Sequence, residues 1–510
     1  MPFLQNYDFC LADSEILLIF ATKSINICPR MKYSVIFRSL LTIVLLGFMP
    51  QTRAEEKKIV VLSDVHVMAK SLEGTEFWNT TVEHTRKIAE CSQPIFDQLM
   101  DTLKQQKPDL VLITGDLTEG GQQKSHEYVK DKLDELRAAG LKIFVIPGNH
   151  DLTGSVDFGE FYKNFGYSDA TAQEGLSYVA EPFAGLTLLG INTGTDGKLS
   201  EETLNFAVTQ AKAATEKGNQ IICMMHHALM PHISYANVLE PSSNVVDWEN
   251  VREQLACAGV RVVLSGHFHV SDIAMDLTND LSRSIYDIST GSTVSYPSDY
   301  RILTYSDNPA ELKVETRRIM QLEGKDDFPS WSRKELKSRL ARLVMNKLQL
   351  DKDKNPTIYQ LATEVLDTLT GVFAVHAEGN EVMTQERQDM VDQFKSLASL
   401  VQTLMEGAYG ADSVKQAGVD LPSFVDDMLT SILTDKSPYG YKDRENITND
   451  RTLVIELGKP SSSEPSAIRP SELAKSKERA ERWFDMLGRA LNKEGRKGLF
   501  INENGEKIVQ

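Results

Sequence analysis

The segment LVLITGD at residues 110–116 joins a short apolar run to a glycine and an aspartate, and this arrangement decides the fold. A short apolar run followed by polar residues recurs as KIVVLSDVH at 58–66, KIFVIPGNHD at 142–151, QIICMMHH at 220–227 and RVVLSGHFH at 261–269. Each apolar run is too short for a buried helix and rich in branched or bulky apolar residues, so the five predict buried strands. Amphipathic helical stretches lie between them, at 86–105, 123–139 and 201–217. Alternating strands and helices predict a layered α/β domain.

Polar residues of the types that bind metals follow each of the five predicted strands. The carboxyl ends of strands in an open α/β sheet lie along one rim, so these residues are expected to meet there. They are Asp64, His66, Asp116, Asn149, His226, His267 and His269. A mixed oxygen and nitrogen set without thiolate suits Mn, Fe, Zn or Co better than Ca or Mg. Seven side chains exceed one tetrahedral site and fit two metals that share a bridging carboxylate.

Glycines accompany three of these ligand segments. Gly115, Gly148 and Gly266 each stand next to a predicted ligand. Glycine lets the backbone turn sharply and approach a neighbouring group closely, because it has no Cβ. We therefore expect the backbone to pass close to the metals at these three positions.

The complete motif set resembles that of the calcineurin-like metallophosphoesterases. The motifs are Asp64-x-His66, Gly115-Asp116, Gly148-Asn149-His150-Asp151, His226 and Gly266-His267-x-His269. The resemblance implies a four-layer αββα sandwich with a dinuclear centre between its two sheets. It implies that Asp64, His66 and His269 hold one metal, that Asn149, His226 and His267 hold the other, and that Asp116 bridges them. His150 would be the acid/base or phosphate-contacting histidine, and Asp151 is expected to orient it.

The substrate class is narrowed by departures from subfamily patterns. Asp116 is followed by LTEGG, without the arginine of protein phosphatases or the tyrosine of purple acid phosphatases. The Gly-His-Phe-His block at 266–269 resembles that of class III cyclic nucleotide and glycerophosphodiester phosphodiesterases. The resemblance thus implies phosphodiester hydrolysis by water that two metals activate. A phosphomonoesterase of the same fold is the alternative, and a non-catalytic phospho-ligand-binding surface protein is a third, disfavoured by the intact ligand set.

Five further residues near these segments have weaker predicted roles. His227 follows a ligand on a strand and is expected to face the other way, in a structural or outer-contact role. His232 and Tyr296 lie on predicted rim loops, where residues that contact substrate are often found. His84 and His126 lie in polar helical stretches and are expected to be solvated.

Composition and charge limit the remaining possibilities. The 510 residues are 41% hydrophobic and 25% charged, which is typical of a globular protein too long for one domain. A formal net charge of −17 disfavours a dedicated nucleic-acid binder, but a metal site still attracts small anionic phosphoesters.

Two domains are predicted after the N-terminal segment. Residues 55–320 are expected to form the phosphoesterase domain, and residues 325–510 a mainly helical C-terminal domain. The predicted helices are 332–348, 357–376, 384–406, 421–433 and 472–491, with a loop at about 434–470 that contains a possible strand at 452–457. His376 lies on an apolar helix and is expected to be a packed core residue.

The N-terminal 54 residues have the features of a targeting segment. From Met31 the sequence has basic Lys32 and Arg38, an apolar run at 40–49 and then Thr52-Arg53-Ala54. This predicts a signal peptide at 31–54, cleaved after Ala54, and a periplasmic or secreted protein. The apolar run is too short to span a bilayer, so no transmembrane anchor is expected after cleavage. Residues 1–30 are interpreted as an upstream extension before the true start.

Cysteine usage predicts a fold without organising disulfides. Cys10 and Cys28 belong to the upstream extension. Cys91, Cys223 and Cys257 remain, an odd number without a framework spacing, and are expected to be buried free thiols.

Overall fold

The computed structural model describes residues 56–233, 242–347, 353–354, 356–379, 382–416, 420–434 and 449–463, and the backbone of 483–484, 490–491, 499–502 and 507–509. The predictions on residues 1–54, with Cys10 and Cys28, lie outside this part of the chain. Residues Glu55–Gln510 form one compact unit. The division of this unit near residues 320–325 stays a prediction.

Strands and helices alternate through the first half of the unit. The strands are β1 Lys57–Leu62, β2 Leu110–Ile113, β3 Ile143–Val145, β4 Ala172–Glu174, β5 Ser177–Phe183, β6 Leu186–Ile191, β7 Gln220–Met225, β8 Val262–Ser265, β9 Asp272–Leu277, β10 Ser284–Ser289, β11 Asp299–Asp307, β12 Ala310–Arg318 and β13 Thr452–Glu456. The helices are α1 Glu76–His84, α2 Ser92–Gln106, α3 Gln123–Ala138, α4 Phe158–Phe161, α5 Glu201–Glu216, α6 Trp248–Ala258, α7 Phe328–Lys347, α8 Pro356–Ala377, α9 Gln385–Tyr409, α10 Ala411–Gln416 and α11 Leu421–Leu433. Short 3-10 helices occupy Lys70–Leu72, Ala89–Cys91, Asp151–Thr153 and Tyr167–Asp169.

Two mixed sheets carry all five ligand segments. The first has the strand order β13-β12-β11-β1-β2-β3, and the second has the order β4-β5-β6-β7-β8-β10-β9. Strands β1, β2 and β3 run parallel, as do β6, β7, β8 and β10. The carboxyl ends of β1, β2 and β3 therefore share one edge of the first sheet, and those of β7 and β8 share one edge of the second.

Alternating side chains along β7 show how the layers pack. Ile222 and Met224 join the core that contains residues of both sheets. Ile221, Cys223 and Met225 face the other way, into a cluster with residues of α5 and α6. Helices α2 and α3 pack with the first sheet, through residues such as Ile95 and Val129. These layers are the predicted αββα sandwich, and each fully buried aliphatic side chain contributes about 1.5–3 kcal/mol to it.

Helices α7 to α11 confirm the mainly helical region that the sequence predicts. Strand β13 follows them in the chain but returns to the edge of the first sheet, where Ile455 pairs with Leu312. Chain beyond the helices thus completes a sheet of the sandwich. Most of the predicted loop at 434–470 lies outside the described residues.

Two predicted helices differ from the structure. The first begins at Ser92 instead of residue 86, because Ile88 turns to donate its backbone N–H to Val294. The predicted helix at 472–491 lies mostly outside the described residues. Within it, Trp483–Phe484 and Ala490–Leu491 are strands that pair with each other, so the prediction is wrong there. They join Leu499–Asn502 (β16) and Lys507–Val509 (β17) in a small antiparallel sheet, as β14 and β15.

The described part of the chain bears on the expectations about cysteines and about membrane-spanning segments. Cys91, Cys223 and Cys257 are buried free thiols, as predicted. Within the described ranges, every helix is too short or too polar to cross a membrane.

Candidate metal centre

The first cluster of predicted ligands forms where β1, β2 and β8 end. Ligand atoms of Asp64, His66, Asp116 and His269 all lie within 4.8 Å of one another. The Nε2 atoms of His66 and His269 are 3.0 Å apart, and Asp64 Oδ1 is 3.3 Å from His269 Nε2. The four side chains are buried or nearly so. They therefore form a compact pocket of carboxylates and imidazoles.

The second cluster forms where β2, β3, β7 and β8 end. His226 Nε2 is 3.0 Å from Asn149 Oδ1 and 3.2 Å from His267 Nδ1. Asp116 belongs to this group as well, together with His226 and His267. The structure thus brings together all seven ligands that the sequence predicts, in the predicted groups.

Asp116 lies between the two clusters. Its Oδ2 atom is 3.4 Å from His66 Nε2 and also 3.4 Å from His226 Nε2. The other oxygen, Oδ1, accepts a hydrogen bond of 2.9 Å from the backbone N–H of His150. One carboxylate oxygen therefore faces one imidazole of each cluster.

The backbone is strained at five of the seven predicted ligands. The residues Asp64, His66, Asp116, His267 and His269 have φ angles of 49°, 42°, 50°, 64° and 63°. Left-handed conformations of this kind cost non-glycine residues about 1–3 kcal/mol each, and they cluster at functional sites. The surrounding fold therefore holds these five residues in conformations that reduce the free energy of unfolding.

The three glycines beside the ligands are confirmed as points of close backbone approach. A Cβ atom at Gly148 would lie 2.2 Å from Asp116 Oδ1, and one at Gly115 would lie 2.6 Å from His226 Nδ1. At Gly266 it would lie 1.9 Å from Ser63 Oγ, which donates to Asp64, and 2.5 Å from Asp64 Oδ2. Any larger residue at these positions would displace a predicted ligand.

Comparison with known proteins agrees with this geometry. The calcineurin-like phosphoesterase family matches residues 57–271, which include all seven predicted ligands. Residues 57–271 belong to the calcineurin-like phosphoesterases. A probable glycerophosphodiester phosphodiesterase of Arcobacter nitrofigilis is 27% identical over 243 residues, which are 44% of this chain and 82% of that protein. A probable cyclic nucleotide phosphodiesterase of a Synechococcus strain is 47% identical over 49 residues, 10% of this chain and 18% of that protein.

Two solved structures match about half of this chain. A dimetal phosphatase from Danio rerio is 13% identical, with a TM-score of 0.39, and the match covers 51% of this chain and 96% of that protein. A phosphopantetheinyl hydrolase from Mycobacterium tuberculosis is 13% identical, with a TM-score of 0.25, and the match covers 46% of this chain and 90% of that protein.

The chain is a metal-dependent phosphoester hydrolase. In its centre, ring nitrogen atoms of neighbouring histidines lie close together, as they do around a bound cation. Glu119 Oε2 lies 3.0 Å from His66 Nδ1, and the Nε2 atoms of His66 and His269 lie 3.0 Å apart. Two imidazole nitrogens this close need a proton or a cation between them, because their lone pairs repel. Burial lowers the pKa of His66, yet the neighbouring carboxylates outweigh burial and raise it to about 8. Burial likewise lowers the pKa of His226, and Asp116 above all raises it to about 9. The phosphoesterase site thus favours positive charge where metal ions would lie.

A buried ion pair orients one ligand of the phosphoesterase site and was not predicted. Glu119 Oε2 is 3.0 Å from His66 Nδ1 and 2.8 Å from Lys87 Nζ. Burial raises the pKa of Glu119, but Lys87 and then His66 lower it to about 2. A carboxylate on the outer nitrogen of a ligating histidine fixes its tautomer and raises its basicity. Glu119 was visible as an acidic residue three positions after Asp116, whereas Lys87 had no sequence signal.

His150 lies beside both clusters of the phosphoesterase site. Its ring is edge-on to His66, with the ring centroids 4.8 Å apart, and its Nδ1 bonds the backbone carbonyl of Glu119. The expectation that Asp151 orients His150 is wrong. The Asp151 carboxylate instead accepts from the backbone N–H groups of Leu117, Thr118 and Gly148, because it lies beneath the two ligand loops. Asp151 therefore fixes the loops that carry Asp116 and Asn149.

The remaining histidines and Tyr296 mostly have protein partners. His227 bonds Thr193 Oγ1 at 2.8 Å, and its ring lies 4.2 Å from that of His267, which agrees with an outer-contact role. His232 and Tyr296, expected to contact substrate, are buried and hydrogen-bonded within the protein. His126, expected to be solvated, is buried because Tyr162 packs over it, while His84 is exposed.

Proposed function

We propose that the protein is a phosphodiesterase that uses two transition-metal ions to hydrolyse small phosphoesters. The observation that carries the proposal is the position of Asp116 Oδ2, 3.4 Å from one imidazole of each cluster. A shared carboxylate is how two-metal sites hold their ions close together. The name of the Arcobacter relative, a probable glycerophosphodiester phosphodiesterase, supports diesters as the substrate class. The LTEGG segment after Asp116 supports it too, since no arginine there binds a monoester dianion.

The donor set supports transition metals. Asp64, His66 and His269 would hold one ion, and Asn149, His226 and His267 the other, with Asp116 between them. Imidazole and carboxylate donors without thiolate favour Mn, Fe or Zn. When bound, such ions activate the attacking water and neutralise charge on the phosphoryl oxygens.

His150 is the group that we assign to the leaving oxygen. Its Nδ1 donates to the carbonyl of Glu119, which leaves Nε2 as the nitrogen able to carry a transferable proton. Its backbone N–H holds Asp116, so the loop that presents His150 also fixes the proposed bridge. The imidazole would protonate the leaving oxygen or steady the phosphoryl group.

Export is the proposed location, with cleavage between Ala54 and Glu55. The tripartite segment from Met31 supports it. N-terminal sequencing of the mature protein checks this, and an uncleaved cytoplasmic protein contradicts it.

A substrate panel tests the proposed function. Bis-nitrophenyl phosphate and nitrophenyl phosphate are compared with Mn²⁺, Fe²⁺ or Zn²⁺, and the metal bound per chain is measured by elemental analysis. We expect about two metals and a higher kcat/KM for the diester. A preference for the monoester would make the protein a phosphomonoesterase. Bound metal without turnover of either ester would favour a phospho-ligand-binding protein.

His150→Ala tests the acid role. General acid catalysis contributes on the order of 10²–10⁴-fold and matters little when the leaving group is already acidic. The variant should keep both metals and lose far more activity on alkyl esters than on nitrophenyl esters. Equal losses on both would remove the acid role, and an unchanged rate would make His150 structural.

A further inference from the structure

The ligand segment 266–269 is in contact with the C-terminal helices. Phe268 stands between the ligands His267 and His269, and only 8% of its surface is exposed. It belongs to an apolar cluster whose other buried members are Ile233, Val372 of α8, Val391 and Phe394 of α9, and Leu429, Ile432 and Leu433 of α11. The residue between two ligands of the catalytic site is therefore packed into a core that the helical region supplies.

A polar contact joins α8 to the chain just after the ligand segment. The ring of Phe268 is edge-on to His376 of α8, with the centroids 6.0 Å apart. His376 Nε2 is also 3.7 Å from Asp272 Oδ2, at the start of β9. Helix α8 thus reaches both Phe268 and the residue at which the ligand segment enters the next strand.

A second polar contact supports His269 from its other side. The hydroxyl of Tyr296 donates to the carboxylate of Glu378, directly after α8. The neighbouring Ser295 places its Oγ 3.4 Å from His269 Nδ1, the nitrogen that faces away from Asp64 and His66. Residues 372–378 therefore contact both segments that hold His269.

We propose that Phe268 is a positioning residue and that helix α8 holds the two metal ligands beside it in place. His267 and His269 both have left-handed backbone, with φ of 64° and 63°, which only tight surroundings can maintain. Phe268 lies between them and packs into the helical core, so it keeps the backbone of both ligands from relaxing to an unstrained conformation. His267 belongs to the second cluster and His269 to the first, so loss of Phe268 weakens both. The inference rests on the proposed metal centre.

Phe268→Ala and Phe268→Leu test this against a purely structural role. The purified proteins are loaded with Zn²⁺ or Mn²⁺, dialysed against a series of chelator concentrations, and assayed for retained metal and for melting temperature. Phe268→Ala should release both metals at a chelator concentration about 10-fold lower or more, in line with losses of outer contacts at other metal sites. Phe268→Leu, which keeps an apolar anchor, should restore most of the affinity.

Leu136→Ala is the matched control. Leu136 is fully buried at the end of α3 and bonds the backbone of Leu141 before β3, at the sheet edge away from the ligands. It should lower the melting temperature without changing metal retention. Equal metal retention in Phe268→Ala and the wild type, or equal losses in Phe268→Ala and Leu136→Ala, would overturn the proposal.

Val372→Ala extends the test to a residue distant in sequence, and it carries the test alone should Phe268→Ala fail to fold. Val372 is 1% exposed and shares the cluster of Phe268. It should lower metal retention in the same direction, and unchanged retention would overturn the role of α8. A wild-type protein that binds no metal would instead refute the proposed function, so the two failures are distinguishable.

Discussion

The two ligand clusters share Asp116 but differ in what holds their imidazoles. His66 of the first cluster places Nδ1 3.0 Å from the carboxylate of Glu119, which Lys87 neutralises. His226 of the second places Nδ1 2.9 Å from the backbone carbonyl of Thr114. One histidine is oriented by a charged side-chain pair and the other by the main chain directly after β2. The orientation of His66 can therefore be disturbed by substituting one outer side chain, whereas that of His226 depends on a main-chain carbonyl.

Asp116→Asn should have the largest effect because it removes the charge that both clusters share. We expect loss of metal from both clusters and a fall in kcat/KM on the order of 10³-fold or more. His66→Ala, by contrast, should leave one metal per chain. Elemental analysis and steady-state kinetics check both variants. A fully active Asp116→Asn protein would show that the clusters do not share this carboxylate.

Two glycine substitutions should each weaken metal binding at a different cluster. Alanine at Gly266 would place its Cβ 2.5 Å from Asp64 Oδ2, and alanine at Gly115 would place it 2.6 Å from His226 Nδ1. Such overlap costs about 1–3 kcal/mol and displaces the neighbouring ligand. Gly266→Ala should therefore weaken the first cluster, and Gly115→Ala the second.

The His66→Ala background shows which cluster each glycine supports, because it leaves only the second cluster intact. Gly115→Ala should weaken retention of the remaining metal there, and Gly266→Ala should not. Gly140→Ala is the control for backbone strain, since Gly140 has a φ of 92° but no atom within 4 Å of an added Cβ. Equal effects of Gly115→Ala and Gly266→Ala in this background would refute the separation.

Glu119→Gln should affect the first cluster alone. The substitution keeps the shape of the side chain but removes its charge, leaving Lys87 unpaired and His66 less basic. Loss of such outer contacts typically costs 10–100-fold in metal affinity. Thr114→Val is the matched control for the second cluster, because His226 bonds the main chain of Thr114 and not its side chain. Metal titration should show one weakened site in Glu119→Gln and two unchanged sites in Thr114→Val.

Sequence patterns predict a layered α/β domain and the seven residues of the two clusters, and the family resemblance adds the αββα sandwich. Each cluster residue follows an apolar run at a strand end, and parallel strands bring such ends to one edge. The predicted strand at 220–225 has the observed bounds of β7. Strands β1 and β2 differ from the predicted 58–62 and 110–114 by one residue at one end, and β3 and β8 differ from the predicted 142–146 and 261–264 by one residue at each end. The clusters were therefore predictable because local pattern and sheet geometry agree.

The outer contacts were not predictable, because they come from segments without a local signal. Lys87 lies in a turn that helical spacing assigned to a helix, and Ser295 lies in a loop before β11. His126 lies among polar residues of α3, yet Tyr162 of a distant segment covers it. Each of these depends on which surface the folded chain places opposite it, and periodicity along one element does not contain that information.

The smallest effect on the centre is expected at His232, a buried imidazole that belongs to neither cluster. Its Nδ1 is 2.9 Å from Asp272 Oδ1, and its Nε2 is 3.2 Å from Asp287 Oδ2. Burial lowers the pKa of His232, but Asp287 and then Asp272 raise it to about 10, from 6.5 for a free histidine. Since the folded pKa is the higher one, the charged imidazole stabilises the fold fully below pH 6.5, and this contribution disappears as the pH rises through 10.

His232→Gln isolates this contribution because glutamine keeps hydrogen-bonding capacity without a titratable charge. The difference in the free energy of unfolding between wild type and variant should be largest at pH 6. It should shrink by up to about 1.4 kcal/mol per pH unit between pH 6.5 and 10. Urea unfolding at pH 6, 8 and 10 measures it, with metal retention at pH 8 expected to be close to that of the wild type. A stability difference that does not vary with pH would mean that His232 is neutral between its two carboxylates. A large loss of metal would mean that the Asp272 network supports the ligand segment more strongly than Phe268 does.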